Sequence, residues 1–394
     1  MRAKVQGPLA ETAAGATAEA VLRACVHCGM CNATCPTYTL TGDELDGPRG
    51  RIYLMKQALE GEPVGRLTQI HLDRCLSCRA CETTCPSGVE YHRLYDVARD
   101  EVARHVRRPW RERAMRAAIR LVGLRPWLTR PAFIVRGWLR PRIGRTTPAK
   151  PPVGAVDRRM TILKGCVQAA AAPDFNAATA RVLASIGIGV APTAGTGCCG
   201  ALAFHTGAED EGRAIARRNI DAWSADLDAG ALAVVVNASG CAAFIKDYPD
   251  VFADDPIYRD AALRIARAVR DPVQVMTADL PATRKTPDHP RVAVHDPCTL
   301  RNGLKMEGAV AALLRRLGYD PQPVAETHMC CGSAGAYSLL QPKLSRQLRD
   351  RKLAVLTAND PDVIYTANIG CWMHLGGASR TPVRHWIEAV DDLI

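Results

Sequence analysis

Aromatic residues are scarce, at 5% of the 394 residues. Buried cores must therefore be built from Ala, Leu, Val and Ile, and a stacking platform for bases has little to work with, so no nucleic-acid partner is expected despite a net charge of +11. Long apolar runs are also missing. The longest stretch free of Asp, Glu, Lys and Arg, Val182 to Ala208, is broken by Pro192, Gly187, Gly189, Gly195, Gly197 and two cysteines, so no spanning helix is expected. Residues 1–24 carry Glu11 and Glu19 and lack the apolar core of a secretory signal, so export to an oxidising space is not expected. The 16 cysteines are too sparse for a disulfide scaffold and are read as reduced, cytosolic metal ligands. No strand-to-helix Gly-x-Gly-x-x-Gly signature for a dinucleotide is read. What is present, 47% hydrophobic residues over a length suited to two or three domains, excludes a disordered chain.

The positive charge is local. Between Arg104 and Arg145 stand thirteen Arg, no Lys and one acid, Glu112, for a local charge of +12, so the rest of the chain sums to −1. The segment contains Trp110, Trp127 and Trp138 and is divided by Pro109, Pro126, Pro131 and Pro141. One piece predicts a helix with Met115, Ile119 and Val122 on one face and Arg113, Arg116 and Arg120 on another. A basic amphipathic helix with interfacial Trp can lie on an anionic membrane surface, and the same helix can pack on its own domains or on an acidic subunit. Segment 104–145 is thus expected to meet a membrane or a partner.

Two repeats are nested in the chain. Cys25-x2-Cys28-x2-Cys31-x3-Cys35-Pro36 returns fifty residues later as Cys75-x2-Cys78-x2-Cys81-x3-Cys85-Pro86. This is the bacterial ferredoxin run, in which three thiolates wrap one corner of a cubane and the fourth reaches across to the other cluster. The expected sets are Cys25, Cys28, Cys31 and Cys85 for one [4Fe-4S] centre, and Cys75, Cys78, Cys81 and Cys35 for the second. The alternative is a pair of zinc knuckles, disfavoured by two identical runs each with its trailing Pro. Between the runs, Gly47-Pro48-Arg49-Gly50-Arg51 leads into a breaker-free stretch that predicts a helix with Pro48 in its entry turn and Gly61 at its stop. The first domain, residues 1–100, should therefore be mainly helical. Arg49 and Arg51 either offset cluster charge or face solvent.

The second repeat pairs Cys166, Cys198-Cys199-Gly200 and Cys241 with Cys298, Cys330-Cys331-Gly332 and Cys371, at offsets of 132, 132, 132 and 130 residues. Each copy opens on a strand-like run, Thr161 to Leu163 or Arg291 to Val294, and has another, Ala231 to Val236 or Val363 to Tyr365, with helical patterns between. Alternating strands and helices argue for α/β units with parallel pairing. The domains expected are 158–285 and 286–394, joined to the first by the Arg/Trp/Pro-rich segment 101–157, in an α+β multidomain chain. Adjacent cysteines cannot easily close a disulfide with each other, so each vicinal pair is read as gripping metal, and each Gly as allowing positive φ and close approach to the cluster. Cys166, Cys198, Cys199 and Cys241 form a third candidate metal set, and Cys298, Cys330, Cys331 and Cys371 a fourth. The bland alternative is eight buried thiols acting as small hydrophobes.

These second-half elements resemble the tandem cysteine-rich CCG domains of heterodisulfide reductase subunits and related respiratory oxidoreductases. In that pattern a Cys-x2-Cys pair closes each copy, and its first position here is Ala238 or Asn368. Five-cysteine sets in the relatives hold non-cubane [4Fe-4S] clusters, whereas four thiolates suit a conventional cluster, a modified one, or zinc. A two-cluster helical ferredoxin fused to two such domains resembles the glycolate oxidase iron-sulfur subunit family, with sister subunits in D-lactate and glycerol-3-phosphate dehydrogenases. The likeness is closest at Cys25-Val26-His27-Cys28-Gly29-Met30-Cys31, Gly47-Pro48-Arg49-Gly50-Arg51-Ile52, His71-Leu72-Asp73-Arg74-Cys75 and Cys81-Glu82-Thr83-Thr84-Cys85-Pro86.

The resemblance implies an electron-transfer subunit of an oxidoreductase on the cytoplasmic face of the inner membrane. It implies two [4Fe-4S] clusters, with further clusters or zinc in the CCG domains. Its partners would be FAD-binding glycolate oxidase subunits and a quinone or other respiratory acceptor. The rival expectation makes the CCG half itself catalytic, reducing a disulfide at a cluster as heterodisulfide reductases do, with His295, Asp296 and Lys246 as proton donors. The ordinary roles for those three are a backbone-satisfied His295, a helix-capping Asp296 and a solvated Lys246.

Overall fold

The computed structural model describes residues 1–130, 158–279 and 289–394. Pro131, Trp138, Pro141 and the arginines from Arg136 to Arg145 lie outside these residues.

The N-terminal region is helical, as the breaker pattern predicts. Ala13–Ala24, Pro48–Leu59, Arg66–Asp73 and Tyr91–His105 are helices closed on a core of Val21, Leu22, Met55, Leu59, Leu72, Leu94 and Ala98. Pro48 occupies the first turn, where a missing N–H costs nothing, and Gly61 beyond the last turn has φ +81°. The two cysteine runs follow Ala13–Ala24 and Arg66–Asp73, with Cys31 and Cys81 in the short helical turns Met30–Thr34 and Ala80–Thr83.

The second half holds two four-stranded sheets. The first is β1 (Arg158–Ile162), β2 (Ile188–Pro192), β3 (Val234–Val235) and β4 (Val269–Arg270), in the order β2-β1-β3-β4. The second is β5 (Val292–His295), β6 (Pro321–Gln322), β7 (Val363–Thr366) and β8 (Val383–His385), in the order β6-β5-β7-β8. Every pair is parallel. Strands buried on both faces read as continuous Val/Ile runs, as Val234–Val235 and Val363–Thr366 do. In an open parallel sheet the crevice lies outside the carboxyl ends of the strands, where the strand order reverses. That point falls between β1 and β3 in one copy and between β5 and β7 in the other.

The two copies share one core. Phe175, Val182 and Leu183 of the first belong to the same apolar cluster as Leu313, Trp372 and Trp386 of the second. Phe175 meets the ring of Trp372 edge-on at 5.3 Å, and His385 Nε2 lies 3.0 Å from the Asn237 carbonyl. Arg181 Nε donates to Asp391 at 2.7 Å.

Asp271, at the start of the helix Pro272–Asp279, is fully buried. Its Oδ1 accepts from the Val273 N–H at 3.0 Å while Oδ2 has no partner, and burial pushes the carboxyl up to about 7. The unfolded chain releases this proton near about pH 4, so the folded state gains relative to the unfolded one at low pH and loses that gain as pH rises toward 7. Asp271→Asn cannot ionise. Wild-type stability relative to this variant, read as urea midpoints, is therefore expected to fall between about pH 4 and pH 7 and to level off above. A difference that stays constant with pH would contradict the buried carboxyl's role.

Candidate metal centres

The loops of the helical domain bring its eight cysteines to two adjoining cavities. One is lined by Cys25, Cys28, Cys31 and Cys85, with Cys81, Arg49 and Ile52. The other is lined by Cys35, Cys75, Cys78 and Cys81, with Arg51, Leu76 and Tyr91, and also by Cys298 and Thr299 of the second repeat. The fourth cysteine of each run thus lines the cavity of the opposite run. Cys81 borders both.

Donors already face the sulfurs. Ser77 N–H points at Cys75 Sγ (3.4 Å) and Tyr91 Oη at the same sulfur (3.7 Å). In the second half, Gly200 N–H points at Cys198 Sγ (3.3 Å) and Gly332 N–H at Cys330 Sγ (3.4 Å). Such donors stabilise the thiolate form and raise the reduction potential of a cluster. Without a metal the thiols are costly to ionise: burial pushes Cys31 up to about 11 and holds Cys78 and Cys81 well above the ordinary thiol value. A metal's positive charge is what such a donor set lacks, so all-sulfur, partly buried sets of this kind fit iron-sulfur centres.

Arg51 and Arg49 differ in kind. Arg51 is 1% exposed, and its Nη2 has no hydrogen-bond partner. Its Nε donates to the His71 carbonyl (2.8 Å) and Nη1 to Thr37 Oγ1 (3.1 Å), which in turn sits 3.3 Å from Cys35 Sγ. Asp46 counters it at 3.6 Å and also takes His71 Nδ1 (2.8 Å) and Arg74 Nη1 (2.8 Å). Arg49 is half-buried beside the first cavity and paired with Glu44 at 2.6 Å. Both therefore line a cysteine cavity, Arg49 the first from a half-buried position and Arg51 the second from a fully buried one, a difference the sequence left open. Tyr337, on the second repeat, places another unpartnered buried hydroxyl near Arg51, Cys75 and Cys330.

In the CCG half each cysteine follows the carboxyl end of a strand. Cys166 follows β1, Cys198 and Cys199 follow β2, and Cys241 follows β3, with Cys298, Cys330, Cys331 and Cys371 after β5, β6 and β7. Cys166 and Cys198 approach to 3.4 Å, Cys298 and Cys330 to 3.8 Å, and Cys331 and Cys371 to 3.3 Å. Gly200 and Gly332 have φ +93° and +84°. A Cβ at Gly332 would stand 2.5 Å from the Ser345 carbonyl oxygen, and one at Gly200 2.8 Å from that of Gly212, so the close approach that requires glycine is to the long helices Pro342–Leu356 and Glu209–Asp228. Gly332→Ala is expected to lower stability by at least about 1–2 kcal/mol from the left-handed backbone alone. Denaturant midpoints would check it; a neutral effect would mean that the turn relaxes.

The departures from the five-cysteine pattern have structural roles. Ala238 is buried in the shared core, and the Asn368 side chain accepts the Gly370 N–H (3.0 Å) while its Nδ2 donates to Thr299 (3.2 Å). Of the three expected proton donors, Lys246 is half-buried and donates to the Ala266 carbonyl (2.5 Å). Asp296 accepts the Gly308 N–H (2.7 Å) ahead of the helix Ala309–Arg316. His295 is bound by the Thr366 hydroxyl (2.9 Å) rather than by backbone.

Two readings need correction. The spacing Gly-x-Gly-x-x-Gly does occur, at Gly195-Thr196-Gly197-Cys198-Cys199-Gly200 after β2, but the helix that follows is only Ala201–His205 and the loop carries the vicinal cysteines. It frames thiols, not a pyrophosphate. The helix Trp110–Gly123 does form, yet Arg116 and Arg120 turn inward: Arg116 to Asp73 (3.2 Å), Arg120 to Glu211 (3.6 Å) and the Thr206 carbonyl (3.1 Å). Trp110 (71% exposed), Met115, Leu121, Val122 and Trp127 (70%) are left facing outward.

The helical domain docks on the CCG half through charge. Arg79 pairs with Asp247 and Arg93 with Asp250 (3.0 Å), while Arg99 donates to the carbonyls of Phe204 (3.2 Å) and His205 (3.0 Å). Asn302 Nδ2 holds the Cys78 carbonyl at 2.8 Å. Cys78, Cys298 and Cys330 join one small apolar cluster with Leu76, Met329 and Tyr337. None of these long-range contacts was visible in the spacing of cysteines.

Family models match the chain twice over: a 4Fe-4S dicluster domain at residues 21–89 and a cysteine-rich domain at 160–246 and again at 292–376. The chain is 46% identical to the glycolate oxidase iron-sulfur subunit of Escherichia coli (strain K12), covering 100% of this chain and 99% of that protein. It is 32% identical to the probable glycolate oxidase iron-sulfur subunit of Bacillus subtilis (strain 168), over 94% and 92% of the two chains. The lactate utilization protein A of Exiguobacterium sp. (strain ATCC BAA-1283 / AT1b) is 29% identical over 54% of this chain and 86% of its own length. Among the described residues no helix is long and apolar enough to cross a membrane.

Proposed function

Because the chain belongs to the glycolate oxidase iron-sulfur subunit family, we propose that it is the electron-transfer subunit of a glycolate-oxidising complex. In this reading an FAD-binding partner oxidises glycolate to glyoxylate, and electrons pass singly through this chain toward a respiratory acceptor such as quinone. One observation carries the proposal: three of the four thiol sets adjoin, Cys81 bordering both N-terminal cavities and Cys78 sharing an apolar cluster with Cys298 and Cys330 of the second repeat.

Bound iron-sulfur clusters would supply acceptance and release of single electrons. Cys25, Cys28, Cys31 and Cys85 would hold one, and Cys75, Cys78, Cys81 and Cys35 the other. Cys166, Cys198, Cys199 and Cys241, with Cys298, Cys330, Cys331 and Cys371, would hold metal in the two CCG domains. The residues around them do the tuning: Ser77 and Tyr91 donate toward sulfur, Arg51 lends positive charge, and Leu76, Met329 and Tyr337 exclude water from the junction between helical domain and second repeat. The outward Trp110, Leu121, Val122 and Trp127, on a segment rich in arginine, support a contact of 104–145 with the cytoplasmic face of the inner membrane.

The test is glycolate-dependent dye reduction by the complex and by this chain alone, both purified without oxygen. Activity is expected only when the flavoprotein is present. Turnover by the isolated chain would end the proposed division of labour, and disulfide-dependent oxidation of the reduced chain would favour the heterodisulfide-type reading.

A further inference from the structure

We propose that His295 is a metal ligand, so that the second cysteine-rich repeat binds its metal through imidazole and thiolate together while the first uses thiolates alone. The inference rests on the reading that the cysteine-rich repeats hold metal.

His295 ends β5, 3% exposed, and its ring nitrogen and the sulfurs of Cys331 and Cys371 lie within 4.8 Å of one another. Cys331 and Cys371 are themselves 3.3 Å apart. His295 Nδ1 is 2.9 Å from Thr366 Oγ1. A hydroxyl that accepts from Nδ1–H fixes the tautomer and leaves Nε2 as the ring's lone-pair donor, which is how metal-binding histidines are usually held.

The repeat supplies an internal control. His295 and Thr366 are register partners across β5 and β7. Counted from the equivalent cysteines, their places in the first copy are Leu163, three residues before Cys166, and Val236, five before Cys241. Leu163 and Val236 are both buried in the apolar core of that copy. The fold therefore closes with an apolar pair at these positions. An imidazole and a hydroxyl buried there instead satisfy each other through Nδ1, which leaves the second ring nitrogen as the group a ligand would engage.

The donor count agrees. At the position where a fifth cysteine would stand, the Asn368 amide is spent on Gly370 and Thr299. His295 restores five donors to the second copy, and Leu163 leaves the first with four. A set of thiolates with one imidazole suits zinc or an iron of an iron-sulfur centre.

The full chain purified anaerobically, His295→Leu, and His295→Leu with Thr366→Val, which rebuilds the pair of the first copy, would be compared by iron and zinc content, X-ray absorption at both metal edges and pulsed EPR. Wild type is expected to show an imidazole nitrogen, at about 2.0–2.1 Å if the metal is zinc, or as nitrogen coupling in the reduced state if it is iron. Both variants are expected to lose that nitrogen and keep the EPR signals of the N-terminal centres. Sulfur-only coordination in wild type, a nitrogen that persists in the variants, or a second repeat without metal overturns the proposal. Absence of the N-terminal signals in wild type would instead defeat the electron-relay reading, and it is scored separately from the nitrogen.

Discussion

Replacing Cys85 with alanine is expected to remove the centre of the first cysteine run, although Cys85 belongs to the second. Cys35→Ala should do the converse. The cavities carry this expectation: Cys85 lines the one with Cys25, Cys28 and Cys31, and Cys35 the one with Cys75 and Cys78. Each loss is about four irons per chain and abolishes electron transfer, since a relay fails at its missing member. The two centres are told apart by EPR titration, because only the second adjoins buried Arg51 and Cys298. If Cys85→Ala instead spares the first centre and removes the second, each run holds its own cluster and the crossed assignment is wrong.

The second large effect is expected at Asp46. It is fully buried and serves Arg51, His71 and Arg74 at once, with Thr37 Oγ1 donating to its backbone carbonyl at 2.7 Å. Asp46→Ala leaves the Arg51 guanidinium with no carboxylate in a site 1% exposed. Breaking a buried ion pair by removing one partner costs about 3–5 kcal/mol when the remaining charge is uncompensated, and the cysteine site that Arg51 also faces makes that the upper bound here. Denaturant unfolding of the anaerobic protein reads this directly. Since a stranded charge is the cause, adding Arg51→Met should recover part of the loss. A double variant as unstable as the sum of two damaging singles would assign the loss to packing.

Local signals made much of the molecule legible. Two ferredoxin runs, the Pro48 and Gly61 punctuation and the offset of the CCG copies fixed helices and strands close to where they stand, because each depends on residues near in sequence. Contacts that depend on distant residues were not legible: the meeting of Cys78 with Cys298 and Cys330, the docking of Arg99 on the Phe204 and His205 carbonyls, and the inward turn of Arg116 and Arg120. Helical periodicity groups these arginines on one face but cannot show that Asp73 and Glu211 are waiting there. Asp46 carried no motif at all. His295 did leave a signal, since laying one CCG copy over the other exposes His and Thr opposite Leu and Val.

The apolar cluster common to the two cysteine-rich copies has a consequence for how the chain is inherited and cut. Phe175 of one copy rests on Trp372 of the other, so a gene fragment encoding either alone would expose the face that its sibling covers. Either copy severed from the other is therefore expected to lose stability. Limited digestion should accordingly yield both copies together or neither.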